Sequence, residues 1–270
     1  VLVNDGSKDK TWEIITKIHK ENHMYVGINL TRNRGHQNAL LAGLMYAKNH
    51  ADICISMDAD LQDDINVMDD MIKKYNAGAD VVYGVRSSRK KDTFFKKFTA
   101  EAFYKLMNIM GVEVVFNHAD CRLMSKRALE GLSEFKEVNL FLRGIVPQVG
   151  YKTDIAYYER SERVAGESKY PLKKMLAFAI DGITSFSIKP LRMITSIGFI
   201  ILILSFVVLI YSIIMKLIGN TVSGWTFIVC SIWLIGGIQT LCLGVIGEYI
   251  GKIYKETKAR PRYIIECVLD

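Results

Sequence analysis

Charge is missing from one long stretch of this 270-residue chain: the 55 positions between Arg192 and Glu248 carry a single charged residue, Lys216. Elsewhere, with 35 Lys+Arg and 28 Asp+Glu in the whole chain, charge has the density of a water-exposed surface. The gap excludes a purely soluble single domain, and the 50% hydrophobic content excludes a disordered chain. Cysteine is sparse and unorganised. Cys54, Cys121, Cys230, Cys242 and Cys267 are scattered, with no C-x-x-C pair and no Cys/His cluster. That excludes a cysteine-based metal site and a disulfide framework, and leaves reduced structural thiols. What is there is a soluble region of about 190 residues, ample for one buried core, followed by an apolar hairpin and a basic end.

Two uncharged runs make up the hairpin, Met193 to Met215 and Trp225 to Gly247, each of 23 residues. A helix of that length covers about 34 Å, enough to cross a hydrocarbon core of about 30 Å. Lys169, Lys173, Lys174, Lys189 and Arg192 precede the first run; Lys252, Lys255, Lys258, Arg260 and Arg262 follow the second. The positive-inside rule then places both flanks and the soluble domain on the cytoplasmic side of a cell (inner or plasma) membrane. Residues 171–192 have the spacing of an amphipathic helix lying in the interface, or of a connecting helix packed on the soluble domain. The expected organisation is a cytoplasmic domain over 1–170, this juxtamembrane helix, a transmembrane hairpin over 193–247 and a basic cytoplasmic tail over 248–270.

Along the soluble part, apolar strands alternate with helical patterns: Val1-Leu-Val, then Tyr25 to Leu30, Asp52 to Met57 and Asp80 to Val85, with a helix from Asp63 to Tyr75 among those between. Such alternation predicts an α/β fold with an open, mostly parallel sheet and helices on both faces. Ligands of these sheets bind at the carboxyl ends of the strands, where Asn4-Asp5, Asp58-Ala-Asp60 and Tyr83-Gly-Val-Arg86 all fall. Past Arg86, basic residues from Arg89 to Lys97 interleave with aromatics from Phe94 to Tyr104. Beside two membrane spans this pattern favours an anionic membrane surface over nucleic acid.

Asp58 and Asp60, one residue apart at a strand end, can share a hard divalent cation that bridges substrate phosphates. Their stretch, Met57-Asp-Ala-Asp-Leu-Gln-Asp63, is preceded upstream by Val3-Asn-Asp-Gly-Ser-Lys-Asp9. Together the two resemble the family-2 glycosyltransferases with a GT-A (Rossmann-like) fold. They resemble in particular the polyprenyl-phosphate branch, which includes bactoprenol glucosyltransferases and dolichyl-phosphate mannose synthases. Thr31-Arg-Asn-Arg-Gly-His36 looks like the branch's R-N-x-G segment and Asp120-Cys-Arg-Leu-Met124 its D-F-R-L-M segment, with Cys121 at the phenylalanine. Glu159 to Tyr170 looks like its R-x-x-R-x-x-G-x-S-K-Y loop, and Gly247 to Tyr254 with Arg260-Pro-Arg-Tyr263 its end after two spans. Asp64 and Ile65 stand where prolines are usual. The first strand of the family, with its P-x-Y-N-E turn, would lie before Val1.

The resemblance implies an inverting, metal-dependent transfer of a hexose from a nucleotide-sugar, UDP-glucose first, to polyprenyl (undecaprenyl) phosphate. Asp60 and Asp58 would hold Mg²⁺ or Mn²⁺. Asp5, Arg32, Gly35, Asp58 and Arg86 would bind the donor. Asp120 and Asp58 would be catalytic, Asp120 orienting the acceptor or gripping a sugar hydroxyl. Arg160, Arg163, Ser168 and Lys169 would clamp the acceptor phosphate near the membrane. The plainer roles stay open: a turn at Asp5, helix capping by the carboxylate pair, an Asp120–Arg122 ion pair and a solvated basic loop. His36 and His118 read as lone structural histidines. A homo-oligomer is compatible with this scheme, as are UDP-GlcNAc or GDP-mannose donors. The rivals are a processive polysaccharide synthase, whose Q-x-x-R-W motif is missing, and a catalytically silent membrane scaffold.

Overall fold

The computed structural model describes residues 1–60, 62–86, 109–110, 118–159, 183–185, 187–219 and 224–270. Arg160, Arg163, Ser168 and Lys169 lie outside the described residues, as do the basic and aromatic run from Arg89 to Tyr104 and residues 171–182 of the juxtamembrane segment. The alternation of the first half is present as β1 (Leu2–Asn4), α1 (Thr11–Glu21), β2 (Gly27–Leu30), α2 (His36–Ala47), β3 (Ile53–Ser56), α3 (Val67–Asn76) and β4 (Val81–Arg86). Helix α3 starts four residues later than its apolar pattern suggests. Asp64 accepts the Asn66 amide at 2.9 Å and Val67 donates to the Asp64 carbonyl, so the polar run closes as a turn before the helix begins.

The second half is β5 (His118–Ser125), α4 (Lys126–Ser133), α5 (Leu142–Gln148), β6 (Thr153–Tyr158), α6 (Lys189–Leu217), α7 (Trp225–Lys258) and β7 (Ile265–Leu269). The strands form two mixed sheets, β1-β2-β7 and β3-β5-β4-β6. β1 with β2 and β4 with β6 pair in parallel, as alternation with helices predicts. β5 runs antiparallel between β3 and β4, which keeps those two strands in a common direction. The insertion brings Asp120 to the end of β3, where Asp58 follows.

Strand side chains alternate between two cores, as the period of two demands. Val81, Tyr83, Val85 and Met124 pack with Leu41 and Leu44 of α2 and with Leu129 and Ile145, whereas Val82, Cys121 and Leu123 pack with Met71 of α3. Cys121 is fully buried in the second core. Gly84 lies against it, since a Cβ there would stand 2.9 Å from the Cys121 carbonyl oxygen. Helix α2 packs on β1, β2 and β3 and so bridges the two sheets.

α6 and α7 are long and apolar enough to cross a membrane, over Lys189–Met215 and Leu234–Lys258. The residues after them are more than a tail: α7 continues to Lys258, Ala259 ends it in a left-handed conformation, and β7 returns to pair antiparallel with β2. Asn29 in β2 donates to Glu266 in β7 at 2.6 Å and accepts from Asn4 in β1 at 2.7 Å, a polar line across the sheet. The far end of the hairpin therefore returns to the first sheet.

Candidate active site

Four chain segments meet at the carboxyl ends of β1 to β3. Gly6 turns the chain after β1 with φ +61°, and a Cβ there would lie 2.5 Å from the Arg32 backbone, so only glycine lets the loops after β1 and β2 touch. The Asp5 carboxylate accepts the amides of Arg34 at 2.7 Å and Gly35 at 2.9 Å, fixing the entry to α2. Gly35 caps α2 with φ +86°, and a Cβ there would meet nothing within 4 Å. The first residue of α2 is His36.

His36 projects toward two carboxylates. Its Nε2 lies 3.7 Å from Asp58 Oδ1, just after β3, and 3.4 Å from Asp120 Oδ2 on β5. One ligand atom from each of the three falls within 4.8 Å of the others. Arg143, on α5, grips Asp120 with both ends of its fork, Nε to Oδ1 at 3.1 Å and Nη2 to Oδ2 at 3.0 Å. Arg122, two residues along β5 and 0% exposed, brings Nη2 to 3.5 Å from Asp120 Oδ1. Ser56 donates to the Asp120 carbonyl at 3.0 Å and so ties β3 to β5 beneath the cluster. Asp63 is buried and accepts the Tyr158 hydroxyl at 2.5 Å.

The electrostatics divide the two carboxylates. Burial pushes Asp120 up, but the hydrogen bond from His36 and the positive charges of Arg143 and Arg122 outweigh it, holding the group below the usual carboxylate range. Asp58 is pushed the other way, by burial first and then by the charge of Asp120, with smaller contributions from Asp63 and Asp60 that His36 only partly offsets. His36 is raised, chiefly by its hydrogen bond to Asp120, against burial and Arg143. Burial lowers Arg122, with Asp120 opposing. Among the described residues the cluster thus holds one anion matched by two arginines and one that is not.

The sequence-predicted residues fall in different places. Asp58 and Asp120 come together. Asp60 lies on the same loop as Asp58 but outside the three-residue group, its Oδ1 accepting the Gln62 amide at 3.3 Å. Asp5 and Gly35 form the entry to α2, and Arg32 is exposed on the adjoining loop. Arg86 ends β4 opposite Tyr158 of β6; its side chain lies outside the described part. His36, read as a lone structural histidine, belongs to the cluster, and Arg143 was not singled out. No spacing rule links Arg143 to a carboxylate 23 residues earlier on another element.

Two carboxylates, a histidine and two arginines at the strand ends of a nucleotide-binding type of sheet suit chemistry on a phosphorylated substrate. The sequence profile described as Glycosyl transferase family 2 matches residues 1–133. A Bacillus subtilis (strain 168) protein described as the uncharacterized glycosyltransferase YkoT is 54% identical over 269 residues, covering 100% of this chain and 80% of that protein. The chain belongs to glycosyl transferase family 2. This family-2 glycosyltransferase is also 45% identical to the prophage bactoprenol glucosyl transferase homolog of Escherichia coli (strain K12), covering 99% of the chain and 88% of that protein. It is equally similar, at 45%, to the bactoprenol glucosyl transferase of Shigella phage SfX, covering 98% and 87%. These alignments run through both apolar helices of the glycosyltransferase and into β7, so the likeness extends beyond the sheet domain.

Proposed function

We propose that this glycosyltransferase moves a hexose, glucose from UDP-glucose first, onto polyprenyl (undecaprenyl) phosphate at the cytoplasmic face of the membrane. The observation that carries the reading is the Asp58–His36–Asp120–Arg143 cluster in a chain whose two membrane-crossing helices lead, through β7, back into the domain bearing it. The likeness to bactoprenol glucosyl transferases over nearly the whole of this chain supports the acceptor class.

The reaction is an in-line displacement with inversion. An oxygen of the lipid phosphate attacks the anomeric carbon, the bond from that carbon to the diphosphate oxygen breaks, and the nucleoside diphosphate leaves with the electron pair. The nucleophile is already an anion, so no base has to deprotonate it. Asp120, ionised and held by Arg143 and Arg122, is unsuited to donate a proton. It serves as a fixed acceptor, for a sugar hydroxyl or for His36, and its arginines offset phosphate charge brought beside them.

Asp58 is the best-fitting ligand for a divalent cation. Among the described residues it is the carboxylate of the cluster with no arginine ion pair, and a cation there offsets the burial and the neighbouring acids that push it up. Asp60 on the same loop and His36 at 3.7 Å complete a donor set for Mn²⁺ or Mg²⁺, imidazole favouring Mn²⁺. When bound, the ion neutralises charge on the departing diphosphate.

The deciding experiment offers the full chain in vesicles UDP-glucose, UDP-GlcNAc and GDP-mannose with undecaprenyl phosphate, and reads the lipid product by mass spectrometry. A hexosyl-phosphoryl-polyprenol from UDP-glucose is expected, lost in EDTA and restored by Mn²⁺ or Mg²⁺. Because Asp58 and His36 are both raised, protons compete with the ion, and the metal concentration for half-activity should fall as pH rises toward and through neutrality. Full activity in EDTA rejects the metal, and the absence of any lipid-linked sugar rejects the function.

The orientation has its own test. Ile218, exposed at the far end of α6, lies between the helices, while Asp270 follows β7 on the domain. Ile218→Cys should react with an impermeant maleimide in intact cells above the native-cysteine background, and Asp270→Cys only after permeabilisation. The opposite labelling pattern reverses the topology.

A further inference from the structure

The 34 residues of α7 span about 51 Å at 1.5 Å per residue, well beyond a hydrocarbon core of about 30 Å. Its last turns meet the loop that leads into α5. Glu256 is the contact: Oε2 accepts the Val138 amide at 2.8 Å, and Oε1 accepts the Asn139 amide and the Asn139 side-chain amide, each at 2.7 Å. The Asn139 side chain also donates to the Lys252 carbonyl one turn earlier, and Arg262 donates to the Phe135 carbonyl. Two of the donors to Glu256 are backbone amides that no helix or sheet ladder would otherwise satisfy.

Four residues after Asn139 stands Arg143. The loop enters α5 through Phe141, whose carbonyl accepts the Gly144 and Ile145 amides, while the Leu142 amide donates to Gln37 beside His36 at 2.8 Å. The position of Arg143 is thus set from two sides, by α2 through Gln37 and by α7 through Glu256. Its two contacts to Asp120, at 3.0 and 3.1 Å, hold only if the α5 entry stays where those ties put it.

We propose that Glu256 is a positioning residue for the transfer reaction: it fixes the 138–139 loop to the domain-side end of a membrane helix so that Arg143 meets Asp120. The assignment rests on the proposed function for its kinetic readout. It gives the carboxylate a task beyond anchoring, since a helix that crosses the bilayer places a charged group of the reaction centre.

The test uses the full chain in vesicles with polyprenyl phosphate and labelled nucleotide-sugar. A displacement of about 1 Å at a reaction centre can cost about a hundredfold in rate, so Glu256→Ala should lower kcat by about ten- to a hundredfold. The KM for the nucleotide-sugar should stay within about twofold, as for a change in transition-state contacts alone. Glu256→Gln keeps one carbonyl acceptor for Asn139 and should recover part of the rate; Lys255→Ala, on the next position of the helix, should not change it. In an Arg143→Ala background the Glu256→Ala loss should nearly vanish, because one residue acts through the other. An equal loss in both backgrounds, or a lowered Tm with kcat intact, overturns the assignment in favour of plain anchoring. If Glu256→Ala does not fold, Glu256→Gln runs the same cycle. A wild-type chain that makes no lipid-linked sugar sinks the proposed function instead. Hydrogen exchange then decides the tie: Glu256→Gln should speed exchange in 138–145 and not in β3, and unchanged exchange in 138–145 overturns it.

Discussion

Asp58→Asn should reduce kcat/KM for sugar transfer by about a hundred- to a thousandfold, the loss typical when one preorganised charge contact at a reacting centre is removed. The same change should leave Tm unchanged or raise it. Asp58 is pushed up by burial and by neighbouring acids, so folding disfavours its ionised form. A carboxyl raised in this way destabilises the fold above its unfolded pKa of about 3.9. Asparagine keeps the shape and removes that repulsion. Activity and stability then move in opposite directions, the mark of a group kept for chemistry at a cost to the fold. Transfer assays with the full chain beside thermal unfolding in detergent give both numbers. A fall in Tm with activity retained makes Asp58 a structural cap on its loop.

The parts of this arrangement that could be read in advance are those written in local pattern. The β3 strand and the carboxylates after it stand within eight residues of one another, and the two apolar helices declare themselves by the absence of charge. What escaped depends on partners far along the chain. β5 enters the sheet antiparallel just where Asp120 is delivered, and nothing local specifies which strands it pairs with. β7 is a short apolar run, and its partner β2 is held through Asn29 and Glu266 across 237 positions. His36 is a single histidine on a helix until β3 and β5 bring two carboxylates to it. Arg143 carries no signal except its contact. A residue's type announces what it can do; its neighbours decide whether it does it.

Asp120→Asn should behave as the opposite of Asp58→Asn, losing stability as well as transfer. Asp120 is the anion that faces Arg122, and Arg122 is fully buried, its Nε, Nη1 and Nη2 without a hydrogen-bond partner among the described residues. Removing one partner of a buried pair leaves an uncompensated charge, typically at about 3–5 kcal/mol. The acid limb of the stability curve carries the same information. The folded Asp120 lies below the usual carboxylate range, so its contribution is present above an unfolded value of about 3.9 and lost as pH falls below it. His36 works in the other direction. Its folded value is raised, so the stability it draws from Asp120 is complete below about 6.5 and is lost as pH rises through the folded value. Wild type should therefore lose stability on both sides of a mildly acidic optimum, and Asp120→Asn should flatten both limbs while lowering the whole curve. Arg143→Ala removes an outer, partly exposed cation and leaves the Arg122 pair in place. It should lower kcat with a much smaller change in Tm. Chemical unfolding from pH 3 to pH 8, run beside transfer rates, separates the two variants. If Asp120→Asn unfolds at the wild-type denaturant concentration, Arg122 is not a charge that Asp120 compensates, and the ordering of the site around that pair is wrong.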